Sequence, residues 1–310
     1  MTGAIEIRNL TKRFGTVTAL AGFDLSVPRG SIFGFLGPNG AGKTTTLRIM
    51  AGLARATSGS VVIEGVEVGR GARPPIGYLP DTPGFYGWMT AREFLAYIAR
   101  LHKLTNPPID AALERVGLAD AHKKRVGGFS RGMKQRLGLA QALLPQPRVL
   151  LLDEPVSALD PAGRKAMLDI MDDLRGEMTV FFSTHILNDA ERICDEIGII
   201  NQGRLVVQAQ RADLLSRFAR PVFEIELVPD EIPQLAALAE RLEATGLVER
   251  TALDGARLRV TARDLDRARR EVLPMLAGLA VVRFEMLGAT LEDIFLNLTD
   301  PANSQPEVTP

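Results

Sequence analysis

An α/β fold on a parallel sheet, followed by a small α+β unit, is what this sequence predicts, and three observations carry that expectation. Val149–Leu152 and Thr179–Ser183 are almost unbroken apolar runs, the pattern of strands buried on both faces of a parallel sheet. A glycine-rich stretch, Gly37–Thr45, lies directly between a strand pattern and a helical one. Residues 222–286 run β-α-β-β-α-β, the order of a ferredoxin-like unit.

In chain order, Ile5, Ile7 and Leu10 alternate with polar residues and read as a first strand, and Leu20–Val27 as a second. Ser31–Leu36 is a third, mostly apolar strand that runs straight into the glycines, after which Lys43–Leu53 has helical composition. Val61–Ile63 is a short β-branched strand, and residues 69–90, dense in Gly and Pro, read as loop. Thr90 and Glu93 have the spacing of a capping box ahead of Phe94, Leu95, Ile98 and Leu101 at helical intervals. Helical patterns continue to about Leu144, broken at Asn106-Pro107-Pro108 and Gly127-Gly128. Asp160-Pro161 reads as an N-cap with proline in the first helical position. Ile197–Ile200 is a further strand that leads into a turn at Asn201-Gln202-Gly203.

The texture changes near Arg217–Pro221. Beyond it Phe223, Ile225 and Leu227 share one strand face and Glu224 and Glu226 the other. Ile232, Leu235, Leu238 and Leu242 form a helical stripe, Leu247–Leu253 and Arg257–Thr261 read as strands, Leu265–Leu276 as a helix and Val281–Met286 as a strand. Thr290–Leu298 reads as a last short helix and residues 300–310 as a disordered tail. The domain expectation is therefore 1–215 for the larger unit, with a helical subdomain at about 85–145, then 220–299 for the small unit.

Composition narrows the function. A chain of 310 residues suggests two domains. Its 37 basic side chains balance 37 acidic ones, which argues against broad electrostatic binding to nucleic acid. A single cysteine, Cys194, excludes a disulfide framework and suits a reduced setting; beside Ala190 and Ile193 it reads as a packing residue. The apolar run Val272–Val282 is far short of the roughly 20 residues a spanning helix needs, and the first residues lack the apolar centre of a signal peptide.

The chemistry is concentrated in a few motifs. Gly37-Pro38-Asn39-Gly40-Ala41-Gly42-Lys43-Thr44-Thr45 fits G-x-x-x-x-G-K-[ST] in full. Glycines let successive amides turn toward phosphate oxygens, the helix start adds its dipole, Lys43 reaches the β- and γ-phosphates of a nucleotide, and the Thr44 hydroxyl suits Mg²⁺. Val149–Leu152 ends in Asp153-Glu154, so that two carboxylates stand at the carboxyl end of a buried strand. Asp153 suits the metal's surroundings and Glu154 a general base for water. His185 follows the run Val180–Thr184, within reach of a γ-phosphate if that strand lies beside the Asp153 strand. Ser130 precedes a helix, and by pattern alone it reads as its N-cap. His102 and His122 read as surface residues, and His122-Lys123-Lys124-Arg125 as a solvated basic face.

Together these motifs resemble, in the family's order, the ATP-binding subunit of an ABC transporter over about residues 4–210. Gly37–Thr45 matches Walker A, Leu150–Glu154 Walker B with its catalytic glutamate, Ser157-Ala158-Leu159-Asp160 the D-loop, and His185 the switch histidine. Phe14 falls where the family stacks an aromatic on adenine. The signature is usually Leu-Ser-Gly-Gly-Gln and here reads Phe129-Ser130-Arg131-Gly132-Met133, keeping Ser130 and Gly132. Asp81 stands where the family has Gln; a shorter, charged group there is a Mg²⁺ ligand, a repulsive neighbour of the γ-phosphate, or a turn residue.

The resemblance implies a P-loop NTPase fold, with a parallel sheet core, an antiparallel β subdomain and a helical subdomain. It implies ATP and Mg²⁺ as bound groups, with Thr44, Asp153 and Asp81 near the metal. It also implies a homodimer closing Ser130 and Gly132 of one copy over the nucleotide of the other. The partner would be a separate multi-span permease at the cytoplasmic face of the membrane, contacted through the helical subdomain. The signature variant and the C-terminal unit are similar to subunits serving exporter-type permeases. Two rivals stand beside this reading: a soluble ABC ATPase acting on ribosomes or DNA, disfavoured by the absence of a second module or a coiled-coil insert between Gly42 and Ser130, and a non-hydrolysing regulatory module, supported by Asp81 and Arg131 alone.

Overall fold

The computed structural model describes residues 3–157, 159–217, 222–287, 291, 292, 294 and 295. Ala158, most of Thr290–Leu298 and the 300–310 tail lie outside the described residues. The chain divides into two compact units, Met1–Arg211 and Ala212–Pro310.

In the first unit, β1 (Ile5–Phe14), β2 (Val17–Val27), β4 (Ser58–Ile63) and β5 (Val66–Glu67) make an antiparallel sheet in the order β2-β1-β4-β5. A second sheet joins β3 (Ile32–Leu36), β6 (Ile76–Leu79), β7 (Val149–Asp153), β8 (Thr179–Thr184), β9 (Glu196–Asn201) and β10 (Arg204–Gln210) in the order β10-β9-β3-β8-β7-β6. Its pairings are parallel except for the β9–β10 hairpin. Every residue of β3, β7 and β8 is buried, which is why those runs carry no polar alternation. Phe33 and Phe181 stack with ring centroids 5.2 Å apart. They join Ile5, Leu20, Phe23, Leu47 and Leu151 in one core, so the antiparallel sheet and helix α1 (Lys43–Met50) cover the same face.

Helices α2 (Ala91–Leu101), α3 (Ile109–Arg115) and α4 (Arg131–Leu143) form the helical segment. Thr90 and Glu93 make the reciprocal hydrogen bonds of a capping box at the start of α2. Then come α5 (Pro161–Asp172), capped by Asp160 through the Gly163 amide, and α6 (Leu187–Ile193). Cys194 closes α6 and is buried against the strand residue Gly34. Helix α7 (Arg211–Arg217) follows β10.

Two expectations need correction. Residues 69–90 are not all loop: Ile76–Leu79 is a parallel edge strand in register with Val149–Leu152. The first helix ends at Met50 rather than Leu53, because the chain turns at Gly52, where φ is +71°.

In the second unit, β11 (Val222–Leu227), β12 (Val248–Asp254), β13 (Arg257–Ala262) and β14 (Val281–Leu287) form an antiparallel sheet ordered β12-β13-β11-β14. Helices α8 (Ile232–Ala244) and α9 (Leu265–Met275) complete the β-α-β-β-α-β series. Its core gathers Phe223, Ile225, Leu235, Leu238, Leu258 and Val260. Glu224 points away from these yet is itself buried, held by Arg257 and Arg259 from the neighbouring strand.

Candidate functional site

Register in the parallel sheet brings the site together. Leu36 pairs with Thr184 and Asp153 with Ser183, so β3, β8 and β7 end at the same level, and the loops that follow them meet outside their carboxyl ends. Gly37 can only be glycine: a Cβ there would lie 2.3 Å from the Ile200 carbonyl oxygen. Gly42 caps α1 at a φ of +111°, a conformation that side chains rarely adopt, and it turns the chain so that the helix starts at Lys43. The first amides of α1 therefore open the helix without intrahelical acceptors, as an anion site requires.

A cleft of about 350 Å³ opens there, lined by Ala19, Pro38, Asn39, Gly40, Gly42, Lys43, Thr44, Thr45, Asp81, Glu154, Ser157 and His185. Lys43 is buried; its Nζ donates to the Gly37 carbonyl at 2.6 Å and stands 3.2 Å from Glu154 Oε1. Asp153 is buried, and its Oδ1 accepts from Ser183 Oγ at 2.7 Å and from Thr44 Oγ1 at 3.1 Å. Burial pushes the Asp153 carboxyl above its ordinary range, against those two hydroxyls, which favour the charged form. Tyr78, on β6, is likewise raised by burial, with the Asp153 charge adding to it.

Glu154 sits at a φ of +47°, uncommon for a residue with a side chain, and its amide donates to Ser183 Oγ at 2.9 Å. That backbone turn directs the carboxylate back across the strand ends, where Oε2 lies 2.9 Å from Nδ1 of His185. Ser157 Oγ lies 3.4 Å from Asp81 Oδ1, linking the segments after β7 and β6.

Of the residues singled out in the sequence, Pro38, Asn39, Gly40, Gly42, Lys43, Thr44, Thr45, Asp81, Glu154 and His185 share this cleft, with Gly37, Ala41 and Asp153 directly behind it. Phe14, Ser130 and Gly132 are outside it. Phe14 is 55% exposed at the end of β1, with Lys12 Nζ 4.6 Å from its ring centroid. Ser130 caps α4, accepting from the Met133 amide. Ser183 was missed. The Ser-Thr-His ending of its strand was visible, but its contact with Asp153 depends on register between strands about thirty residues apart.

The fold and the cleft define a P-loop ATPase: a G-x-x-x-x-G-K-T loop at a helix start, opposed by carboxylates at the ends of parallel strands. Comparison with known proteins gives the family. An ABC transporter family model matches residues 20–157. YxlF of Bacillus subtilis strain 168, an uncharacterized ABC transporter ATP-binding protein, is 40% identical over 304 residues, covering 95% of this chain and 99% of that protein. BcrA of Bacillus licheniformis, a bacitracin transport ATP-binding protein, is 43% identical over 235 residues, 73% of this chain and 76% of that one. SrtF of Streptococcus pyogenes, a lantibiotic transport ATP-binding protein, is 36% identical over 66% of this chain and 90% of its own. A solved ATP-binding subunit of an ABC transporter superposes with a TM-score of 0.62 at 29% identity, over 69% of this chain and 93% of that one. The chain belongs to the ABC transporter ATP-binding proteins; it binds and hydrolyses ATP as the energy-supplying subunit of such a transporter. No helix among the described residues is long and apolar enough to cross a membrane.

Proposed function

We propose that this subunit drives export through a separate multi-span permease, hydrolysing ATP between two copies of itself. The observation that carries the reading is the convergence of Lys43, Thr44, Asp153, Glu154 and His185 on one cleft at the strand ends. Lys43 and the amides at the start of α1 take the β- and γ-phosphates and balance charge that develops on them. Glu154, held between Lys43 and His185, orients the attacking water and accepts its proton. His185 holds that carboxylate in place and faces the γ-phosphate.

The donor set fits magnesium. Thr44 and Asp153 offer hard oxygens side by side, Asp81 adds a third, and among the described residues the buried Asp153 carboxylate has hydroxyls but no salt-bridging cation against it. Among the described residues no three His, Cys, Asp or Glu side chains group to hold a metal ion, so nucleotide phosphates would complete the coordination here. Thr44, Asp153 and Asp81 would hold magnesium there, where it would offset the negative charge of the phosphate oxygens.

Ser130 and Gly132 lie at the start of a helix outside their own cleft, which suits a role at the nucleotide of a second copy. Phe14 would stack on the adenine from its exposed position. Exposed Tyr86 and Trp88, whose rings lie 6.0 Å apart at the head of the helical segment, supply an apolar surface for a permease there, at the cytoplasmic face of the membrane. The likeness to bacitracin and lantibiotic transport subunits supports export of compounds of that kind.

The test is Glu154→Gln, with Lys43→Ala as the control that loses nucleotide. Glu154→Gln should bind ATP, accumulate as an ATP-dependent dimer and lose at least about 100-fold in turnover. Pulled from detergent-solubilised host membranes with ATP, it should bring a stoichiometric multi-span protein. Near-normal turnover would sink the role of Glu154, and recovery of ribosomal or DNA-associated partners alone would sink the permease.

A further inference from the structure

The cleft leaves one ion pair beside it unexplained, between a buried carboxylate and a half-buried guanidinium. Asp189, in the first turn of α6, is 3% exposed. Its Oδ1 accepts from Arg164 Nε at 2.7 Å, and its Oδ2, equally buried, has no hydrogen-bond partner among the described residues. Arg164 lies in the first turn of α5, and its own amide donates to the carbonyl of Asp160. The two helices start directly after the two site segments: α5 after Glu154–Asp160, α6 after His185.

Stability alone is a poor reason for this pair. A buried carboxylate with an orphaned oxygen carries a desolvation cost that apolar packing would avoid. The helices already have a second link farther along, where exposed Arg192 Nη2 meets Asp169 Oδ1 at 2.5 Å. The Arg164–Asp189 pair closes the shorter ring, at the helix starts nearest the cleft. From Glu154 the chain runs through Ser157 to Arg164, across the pair to Asp189, back along α6 to His185, and across 2.9 Å to Glu154 again.

We infer that Asp189 and Arg164 are positioning residues for ATP hydrolysis: the pair fixes His185 against Glu154 and passes any shift of the Glu154–Asp160 segment to the histidine. This rests on the roles proposed above for Glu154 and His185. Neither residue lines the cleft, so the pair acts on the chemical step and leaves nucleotide binding alone.

The experiment measures steady-state ATP hydrolysis and equilibrium binding of a fluorescent ATP analogue by the full chain carrying Asp189→Asn, Arg164→Gln or His185→Ala, and the Asp189→Asn/His185→Ala double change. The expected result is a fall in kcat of about tenfold for each Asp189 and Arg164 variant, with KM and analogue affinity within about threefold. The double variant should be no slower than His185→Ala, because both changes break the same ring. Asp189→Glu and Arg164→Lys, which keep the charges, should recover part of the loss; they also replace any variant that fails to fold. Normal kcat in Asp189→Asn and Arg164→Gln, or losses that multiply with His185→Ala, overturn the inference while His185 keeps its role. Normal turnover in His185→Ala overturns both.

Discussion

Replacing Ser183 by alanine removes a single oxygen on which both carboxylates of the site depend. Ser183 is fully buried; its Oγ donates to Asp153 Oδ1 at 2.7 Å and accepts from the Glu154 amide at 2.9 Å. Losing the bond to a charged oxygen costs about 1.5–3 kcal/mol, and stranding a buried amide about 1–3 kcal/mol. Stability should therefore drop by about 3–5 kcal/mol. Glu154 is held at a φ of +47°, a conformation that persists only when its surroundings enforce it. Freed from Ser183, its backbone relaxes and draws the carboxylate away from His185. A displacement of about 1 Å at a reacting group is worth roughly 100-fold in rate, so kcat should fall by that order. Urea unfolding followed by circular dichroism gives the first number and steady-state ATP hydrolysis the second. Loss of less than about 1 kcal/mol with turnover within twofold of the parent would show that Ser183 does not hold the carboxylates in place.

Gly77→Ala should destabilise the first unit by several kcal/mol, because a Cβ on this strand residue would lie 2.2 Å from the Ala142 carbonyl oxygen at the end of α4; an unfolding midpoint unchanged from the parent would contradict the packing of α4 on β6. Glu196→Gln tests a buried carboxylate away from the cleft. Burial raises its carboxyl above the ordinary range, with only Gln208 opposing, and its Oε2 is without a partner among the described residues. A carboxyl raised in the folded chain gives stability that is complete below its unfolded value and declines as pH rises through its folded value. The glutamine variant should thus be the more stable at neutral pH, with the advantage gone below about pH 4; thermal melts across that range decide it.

How much of this was legible depended on what each signal encodes. Val149–Leu152 and Thr179–Ser183 announced themselves because both faces are buried, and burial is written directly in composition. The glycine loop was legible because Gly37 and Gly42 answer to local constraints, a nearby carbonyl and a left-handed backbone. Strand β6 was hidden for the opposite reason. It is four residues long, set between Pro74-Pro75 and Pro80, and includes a glycine required by α4, so its local signals all read as loop. Only its pairing with β7 makes it a strand. Ser183 and the Arg164–Asp189 pair are of the same kind, contacts made by register and helix packing between distant segments.

Charge balance in the cleft gives a final test, centred on Asp81. Among the described residues Lys43 is the one lysine or arginine that lines it, against the carboxylates of Asp81 and Glu154, with Asp153 immediately behind. The polyanion ATP would enter a site that already carries more negative than positive side chains. The α1 amides offset part of that through the helix dipole, worth about half a charge. The remainder calls for a divalent cation, and the hydroxyl and carboxylates beside it are suited to hold one. Affinity for ATP should accordingly fall steeply when EDTA removes the metal. Asp81→Gln, which deletes one charge and keeps a polar side chain next to Ser157, should bind metal-free ATP more tightly than the parent and show the smaller response to EDTA. Equal metal-free affinities would mean that Asp81 stands too far from the phosphates to repel them, and would leave its place at the end of β6 as a turn residue linked to Ser157.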